Sequence, residues 1–411
     1  MNDLYDVVIV TISYYPAEDA SARLFRDLAE GLCKKGLKVA VVTPNREYLN
    51  PDRVFSTEEV HSGVTIVRIP LSRLNKNNTL QKGLLYLSFA KKASTFVKEM
   101  KKRLIISVLP PLLVPHRILK YCYRNQIPFL FIIFDVLPDA WENRRRINPK
   151  NPLSLFLKRQ MTDLLTLSDR IVVVGRDMRQ HIEDRYAVPG EKISVIQNWA
   201  RIPGVKGLKT EDNQESEKFI VLYAGNHGEP QKLDRLVNAA RILQGIDSSV
   251  EFLLVGDGRK KQDLKNLSAE WNLKNIRFHD FVGDEELRLL MERSSLLLVT
   301  LREESKGVSV PSKLYTYLTA GKPILAIVPS GSEIDLAIKE DGFGISVSGE
   351  NAKAVADAII TLREDSEFAE QAGENALRAF RTKYNENAAI EKYYCVVSEL
   401  IGKTKKGEGH V

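Results

Sequence analysis

The chain has 411 residues, 44% hydrophobic and 27% charged, with a formal net charge of +7. That length calls for two domains, and the composition is ordinary for a soluble globular enzyme. Cys33, Cys122 and Cys395 are odd in number and far apart, which excludes a disulfide framework and a zinc site and fits a reducing cytosol. Apolar runs such as "IPFLFIIF" (Ile127 to Phe134) are too short to span a membrane, and no basic region precedes the first apolar stretch, so no signal peptide is expected. The charge is uneven. Residues 1–200 carry 31 Lys and Arg against 20 Asp and Glu, and Arg68 to Lys150 carry 17 against 4. A basic surface of this kind is open to nucleic acid, an anionic membrane or an acidic substrate.

In chain order, "DVVIVTIS" reads as a first strand, followed by a helix with Leu24, Leu28 and Leu32 in register. "LKVAVVT", "GVTIVRI", a long helix from about Lys82 to Lys102, "RLIISVL", "IPFLFIIF" and "DRIVVVG" follow. Continuous β-branched runs alternating with helices predict a parallel sheet covered on both faces. Arg201 to Lys218 is polar and aperiodic and reads as a linker. The pattern then restarts with "FIVLYAG", "VEFLLVGDG", "NIRFHDFVG", "SLLLVTL" and "KPILAIV". The expected organisation is α/β: a domain over 1–200, a second over 201–385, a last helix over 386–402 and a flexible tail over 403–411. Two doubly wound units predict a ligand cleft between them.

Each glycine-rich stretch of the second half lies at a strand end: Gly225 and Gly228, Gly256 and Gly258, Gly283, and Gly307. Singly, each is a strand terminator; together they predict a backbone-lined pocket. Pro311 suits a first helical position with Ser309 or Val310 as cap, and Leu314, Tyr317 and Leu318 follow at helical spacing before Gly321. Such an N-terminus, with Lys313 and Lys232 nearby, suits a diphosphate. No G-x-G-x-x-G follows the first strand and no G-x-x-x-x-G-K-[ST] or D-x-D occurs, which argues against a dehydrogenase, a P-loop ATPase and a dedicated metal–diphosphate site. No cofactor and no metal is expected. In the first half, Asp135 in "FDVLPDA" is either a cleft carboxylate or a helix cap, and His116 is either rim-located or structural. "NRRRINPK" either binds an anionic acceptor or is solvated. In the helix Lys82 to Arg103, Leu84, Leu85, Phe89, Phe96 and Met100 are expected to face the core, and the interleaved lysines a membrane.

"SDRIVVVGRDM", "VIQNW", "LYAGNHGEPQKLD", "LLVGDG", "NIRFHDFVG" and "PSKLYTYLTAGKPI", in this order, resemble the GT-B glycosyltransferases of family four, in the branch with bacterial fucosamine and colanic-acid-type transferases. The resemblance runs from about Val8 to Tyr394. It implies two Rossmann-like domains facing across a cleft, a nucleotide-sugar donor on the C-terminal one, an acceptor on the N-terminal one, and a last helix crossing back. It assigns Lys232 to the donor diphosphate, Asn226 to a position where many relatives carry arginine, Val282 to the segment whose backbone reads the base, and Ser312, Lys313 and Leu314 to the phosphates. Gly225, Gly256, Asp257, Gly258, Glu304, Gly307 and Thr316 complete the implied donor set, and Tyr15, Ser21, His116 and Asp135 the acceptor side. Two positions depart from the family. The loop after the first strand, "YYPAEDASA", has no glycine, and Thr316 stands where a glutamate usually chelates the ribose. Its acidic partner would fall on Val308, with only Glu303 and Glu304 nearby. Losing that carboxylate costs roughly 1.5–3 kcal/mol of donor binding.

The expected function is a metal-independent glycosyltransferase at the cytoplasmic membrane face, moving sugar from a UDP- or GDP-sugar to a lipid-linked saccharide for surface polysaccharide, without nucleic acid. Lys232 would stabilise the departing diphosphate, and Asp135 or a donor phosphate oxygen would take the acceptor proton. The alternatives are a catalytically weak GT-B partner subunit and a sugar-nucleotide epimerase.

Overall fold

The structure is a computed structural model that describes residues 3–47, 50, 52–72, 79–201, 218–228, 231–348 and 351–407. The expected linker lies almost wholly outside them. The chain forms two compact units: Met1–Gln197 with Gly307–Ser309 and Glu386–Val411, and Asn198–Lys306 with Val310–Asn385.

In the first unit the strands are β1 (Leu4–Val10), β2 (Val39–Pro44), β3 (Glu58–His61), β4 (Val64–Ile69), β5 (Lys101–Leu109), β6 (Phe129–Ile133), β7 (Arg170–Val173) and β8 (Ile193–Val195). Their order across the sheet is β3-β4-β2-β1-β5-β6-β7-β8. All neighbours are parallel except β3 and β4. Val7, Val8, Ile9 and Val10 are all fully buried, so both faces of β1 are covered, as its unbroken apolar run requires. The antiparallel edge strand β3, "EEVH", is charged and half exposed, and no apolar alternation announced it.

The long helix expected to reach Lys102 spans Thr79–Glu99, and Lys101 and Lys102 open β5. Lys102 turns its ammonium back to the Val97 and Met100 carbonyls, at 2.6 and 2.8 Å, closing the helix it was expected to extend. Phe89 and Met100 are buried as expected, whereas Leu84 is exposed. The last helix is Glu386–Gly407, longer than the span to 402. It packs on the helix Ala20–Lys34, where Gly31 leaves room for Ile390, and Arg170 meets the Glu399 carboxylate at 2.6 Å through both oxygens.

The second unit holds β9 (Phe219–Ala224), β10 (Val250–Val255), β11 (Ile276–His279), β12 (Leu296–Thr300), β13 (Ile324–Ile327) and β14 (Gly344–Val347). Their order is β11-β10-β9-β12-β13-β14, all parallel. Alternate residues enter two cores on opposite faces. Leu222, Ala224, Leu297 and Val299 join one, and Val221, Tyr223, Leu296 and Leu298 the other. No helix among the described residues is long and apolar enough to cross a membrane.

Candidate active site

Because β9, β10 and β11 are parallel neighbours, their carboxyl ends share one edge of the second unit. The loops there are tied by backbone bonds: Gly225 N–H to the Val255 carbonyl at 2.9 Å, His227 N–H to Asp257 at 2.8 Å and Gly256 N–H to His279 at 3.2 Å. A Cβ on Gly256 would lie 2.0 Å from the Gly225 carbonyl oxygen, and its φ of +134° also favours glycine. Gly225, Gly228, Gly256 and Gly258 thus form one closely packed rim, while a Cβ on Gly283 would meet nothing.

Lys313 rises into this rim from the next element. Its Nζ is 2.5 Å from where a Gly225 Cβ would be and 3.7 Å above the Tyr223 ring. The ammonium is enclosed and has no hydrogen-bond partner among the described residues, and burial pushes its pKa down to about 7. Burial first, then Lys261 and Lys313, hold His227 at about 4. Lys261 staples the loops, donating to the Gly256 and His279 carbonyls at 2.8 Å and to Asp280 at 2.6 Å.

The helix expected to begin at Pro311 spans Lys313–Leu318, with Ser312 rather than Ser309 or Val310 as its cap. Ser312 already has helical angles (φ −67°, ψ −19°) and makes no side-chain cap bond, so the turn tightens two residues later than the proline implied. Six residues carry a small dipole, and positive charge at this edge comes chiefly from lysine. The Tyr317 hydroxyl accepts from Ala224 N–H at 2.7 Å and fixes the helix to the end of β9. Leu314 and Leu318 are buried, whereas Ser312 and Thr316 are exposed one turn apart.

Lys232 is half-buried at φ +44° and lies close enough to Glu304 to lower its pKa. Arg302 dominates that carboxylate, with two bonds of 2.8 and 2.9 Å, and holds it at about 2. Glu304 is therefore engaged rather than presented. Lys232, Gly228, Arg235 and Lys260 line a cavity of about 500 Å³. Asn226 and Asp257 are exposed, and Val282 is half-buried just beyond β11.

In the first unit, β1, β5 and β6 are neighbours, so Tyr15 and Ser21, His116 and Asp135 follow strand ends along one edge. Asp135 pairs with Ser309 through the backbone, and Val136 N–H donates to the Val308 carbonyl at 2.9 Å. Burial raises the Asp135 pKa and Arg144 opposes the rise. His116 bonds Asp163 at 2.9 Å, a structural pairing. The Tyr15 ring stacks on His61 at 3.8 Å while its carbonyl accepts from Arg68 at 2.8 Å, and Ser21 sits in the first turn of the helix Ala20–Lys34. Gly307, expected on the donor side, groups with the first unit, where its N–H donates to Asp177 at 2.9 Å.

Lys261, Arg302 and His227 escaped the sequence reading, as did the partners of buried Asp139: His181 at 2.8 Å, Arg185 at 3.1 Å and Tyr186 at 3.1 Å. Within "GDGRKK" and "TLREES" nothing in the spacing distinguishes Lys261 or Arg302 from a solvated charge.

Two family models match this chain: Glycosyltransferase Family 4 over residues 21–201 and Glycosyl transferases group 1 over residues 207–379. The chain is a glycosyltransferase with a family 4 domain and a group 1 domain. The transferase is 25% identical over 343 residues to the "Probable glycosyltransferase WbjE" of Pseudomonas aeruginosa, covering 81% of this chain and 84% of the relative. It is 23% identical to the "Putative colanic acid biosynthesis glycosyl transferase WcaI" of Escherichia coli, over 91% and 98% of the two chains. Among solved structures, the sucrose-phosphate synthase of Thermosynechococcus elongatus matches with a TM-score of 0.74 at 15% identity, over 97% and 100% of the chains. Anabaena Alr3699/HepE, solved with UDP and glucose, matches at 0.70 and 13% identity, over 96% and 100%. These likenesses show the transferase to have the GT-B fold.

Proposed function

We propose that the protein transfers a sugar from a nucleotide-sugar donor, UDP- or GDP-linked, to a lipid-linked saccharide in surface polysaccharide synthesis, at the cytoplasmic face of the membrane and without a metal. The observation that carries this reading is the ammonium of Lys313 enclosed directly behind Gly225 at a glycine-rich rim. Glycines at the rim let an anion approach the backbone closely, and a buried cation beside them favours a multiply charged one, a diphosphate. Lys232 adds charge from the neighbouring loop and would stabilise the leaving diphosphate. HepE has been solved with UDP and with UDP-glucose, which supports a nucleotide donor by analogy of fold. The raised pKa of Asp135 suits a carboxylate that accepts the acceptor's proton, and a donor phosphate oxygen is the other candidate. Net positive charge over Arg68 to Lys150 supports attraction to anionic lipid, about 1 kcal/mol per basic residue near the surface.

A second reading, a catalytically weak partner of another transferase, is favoured by one observation. Glu304, the nearest acid to the missing ribose pair, is bound by Arg302. Thermal shift against UDP- and GDP-sugars, followed by donor hydrolysis, separates the two. The transferase reading expects one donor to stabilise the protein and to be slowly hydrolysed. Binding without turnover on any acceptor would favour the partner subunit, and no shift with any nucleotide would remove the donor site.

A further inference from the structure

One stretch of the first unit has an unusual surface. Between Trp141 and Arg159 the exposed large apolar side chains are Trp141, Leu153, Leu155 and Phe156, the last three each more than half exposed. Arg145, Arg146, Lys150 and Arg159 are exposed among them. The single acid of the stretch, Glu142, is buried, bonded to the Ser154 hydroxyl and to Lys158 at 2.9 Å. The outward surface of this stretch is therefore apolar and cationic.

The placement is fixed by local structure. The Asn151 side chain caps the helix Pro152–Leu167 by accepting from Leu153 N–H at 2.8 Å, with Pro152 in the first turn. Ser154, Leu157, Gln160, Met161 and Leu164 form its buried face. Helical spacing then sends Leu155, Phe156 and Arg159 to the opposite side. Isolated exposed leucines are common, but four large apolar groups set among cations match the composition of a membrane interface, where tryptophan and phenylalanine enter and arginine meets headgroups.

We propose that Trp141–Arg159 is the surface by which this protein lies on an anionic bilayer, with Trp141, Leu155 and Phe156 entering the interface. This rests on the reading that the acceptor is lipid-linked, and adds an apolar foothold to the long-range attraction. Charge complementarity selects the occupant, because a surface presenting cations without acids fits anionic lipid. Trp141 follows Asp135 by six residues, at most about 21 Å of chain. A lipid-anchored acceptor could thus keep its tail in the bilayer and its polar head within reach of that carboxylate.

The test is co-sedimentation of the full chain with phosphatidylcholine vesicles and with mixed phosphatidylcholine–phosphatidylglycerol vesicles, at about 0.1 M and about 1 M salt. The wild type should bind the mixed vesicles and keep a measurable fraction bound at high salt. Leu155→Ser with Phe156→Ser should weaken binding at least about tenfold and remove the salt-resistant fraction. Brominated lipid should quench the wild-type tryptophan emission, and Trp141→Phe should abolish that quenching, a readout that does not depend on the double variant folding. Wild-type binding by a folded double variant, or complete release at high salt, would overturn the apolar foothold and leave the membrane reading intact. Absence of binding to every vesicle would overturn both and leave the transferase reading standing. Self-association lost in the double variant, without vesicle binding, would assign the surface to a second copy of the chain.

Discussion

The Lys313 ammonium lies 3.7 Å above the Tyr223 ring, behind the bare backbone of Gly225 and with no hydrogen-bond acceptor among the described residues. Tyr223 and His227 are titratable groups beside it, and Lys261 is the cation of the stapled loops that also acts on His227. Burial lowers its pKa from 10.5 to about 7, so between those values the unfolded chain binds a proton that the folded chain does not. Stability should therefore rise with pH across that window, relative to Lys313→Met, with a slope of up to about 1.4 kcal/mol per pH unit. Urea titrations of both proteins at several pH values check the sign. A diphosphate would draw the proton back, so pyrophosphate binding above pH 7 should take up protons in the wild type and not in the variant.

Lys232 separates charge from conformation. At φ +44° lysine and alanine bear the same backbone penalty, so Lys232→Ala should leave the melting temperature nearly unchanged. It should weaken UDP or GDP binding about 10- to 100-fold, the loss of a charge-assisted contact. Lys232→Gly should weaken binding equally while raising stability by up to about 1 kcal/mol. Unaltered nucleotide affinity in calorimetry would take Lys232 out of the site.

Thr316 is exposed on a helix whose other face is buried. A glutamate there would carry little desolvation cost, and Thr316→Glu should tighten nucleotide binding by about 1.5–3 kcal/mol. Comparing UDP with pyrophosphate locates the effect. Equal changes for both ligands would mean that Thr316 does not face the ribose.

Gly31 tests the first unit. A Cβ there would lie 2.7 Å from Ile390, so Gly31→Val should cost about 1–3 kcal/mol. Thermal unfolding of the variant, with and without Ile390→Ala, should show partial rescue when the opposing side chain is trimmed.

Much of the architecture was legible in the sequence because unbroken β-branched runs have one economical arrangement, the parallel sheet. The strands missed were β3, β8 and β14, where three or four residues of mixed character pair only because a neighbour is already in place. At the candidate site the glycines were readable, since turning off a strand end leaves a compositional trace. What Lys261, Arg302 and His227 do was not, because a lysine stapling two carbonyls looks the same in sequence as one in water. The start of the helix at Lys313 was misread because Pro311 satisfies a turn as readily as a first helical turn.

The helix Glu386–Gly407 follows the whole second unit in the chain yet belongs to the unit whose other main segment precedes it. During synthesis that unit waits for its final element until the whole of 198–385 has left the ribosome, and its surface over Gly31 and around Arg170 stays uncovered meanwhile. Vectorial folding is thus completed out of order. A nascent chain stalled before residue 386 should present this face to chaperones, whereas the second unit can close as soon as its own sequence is out.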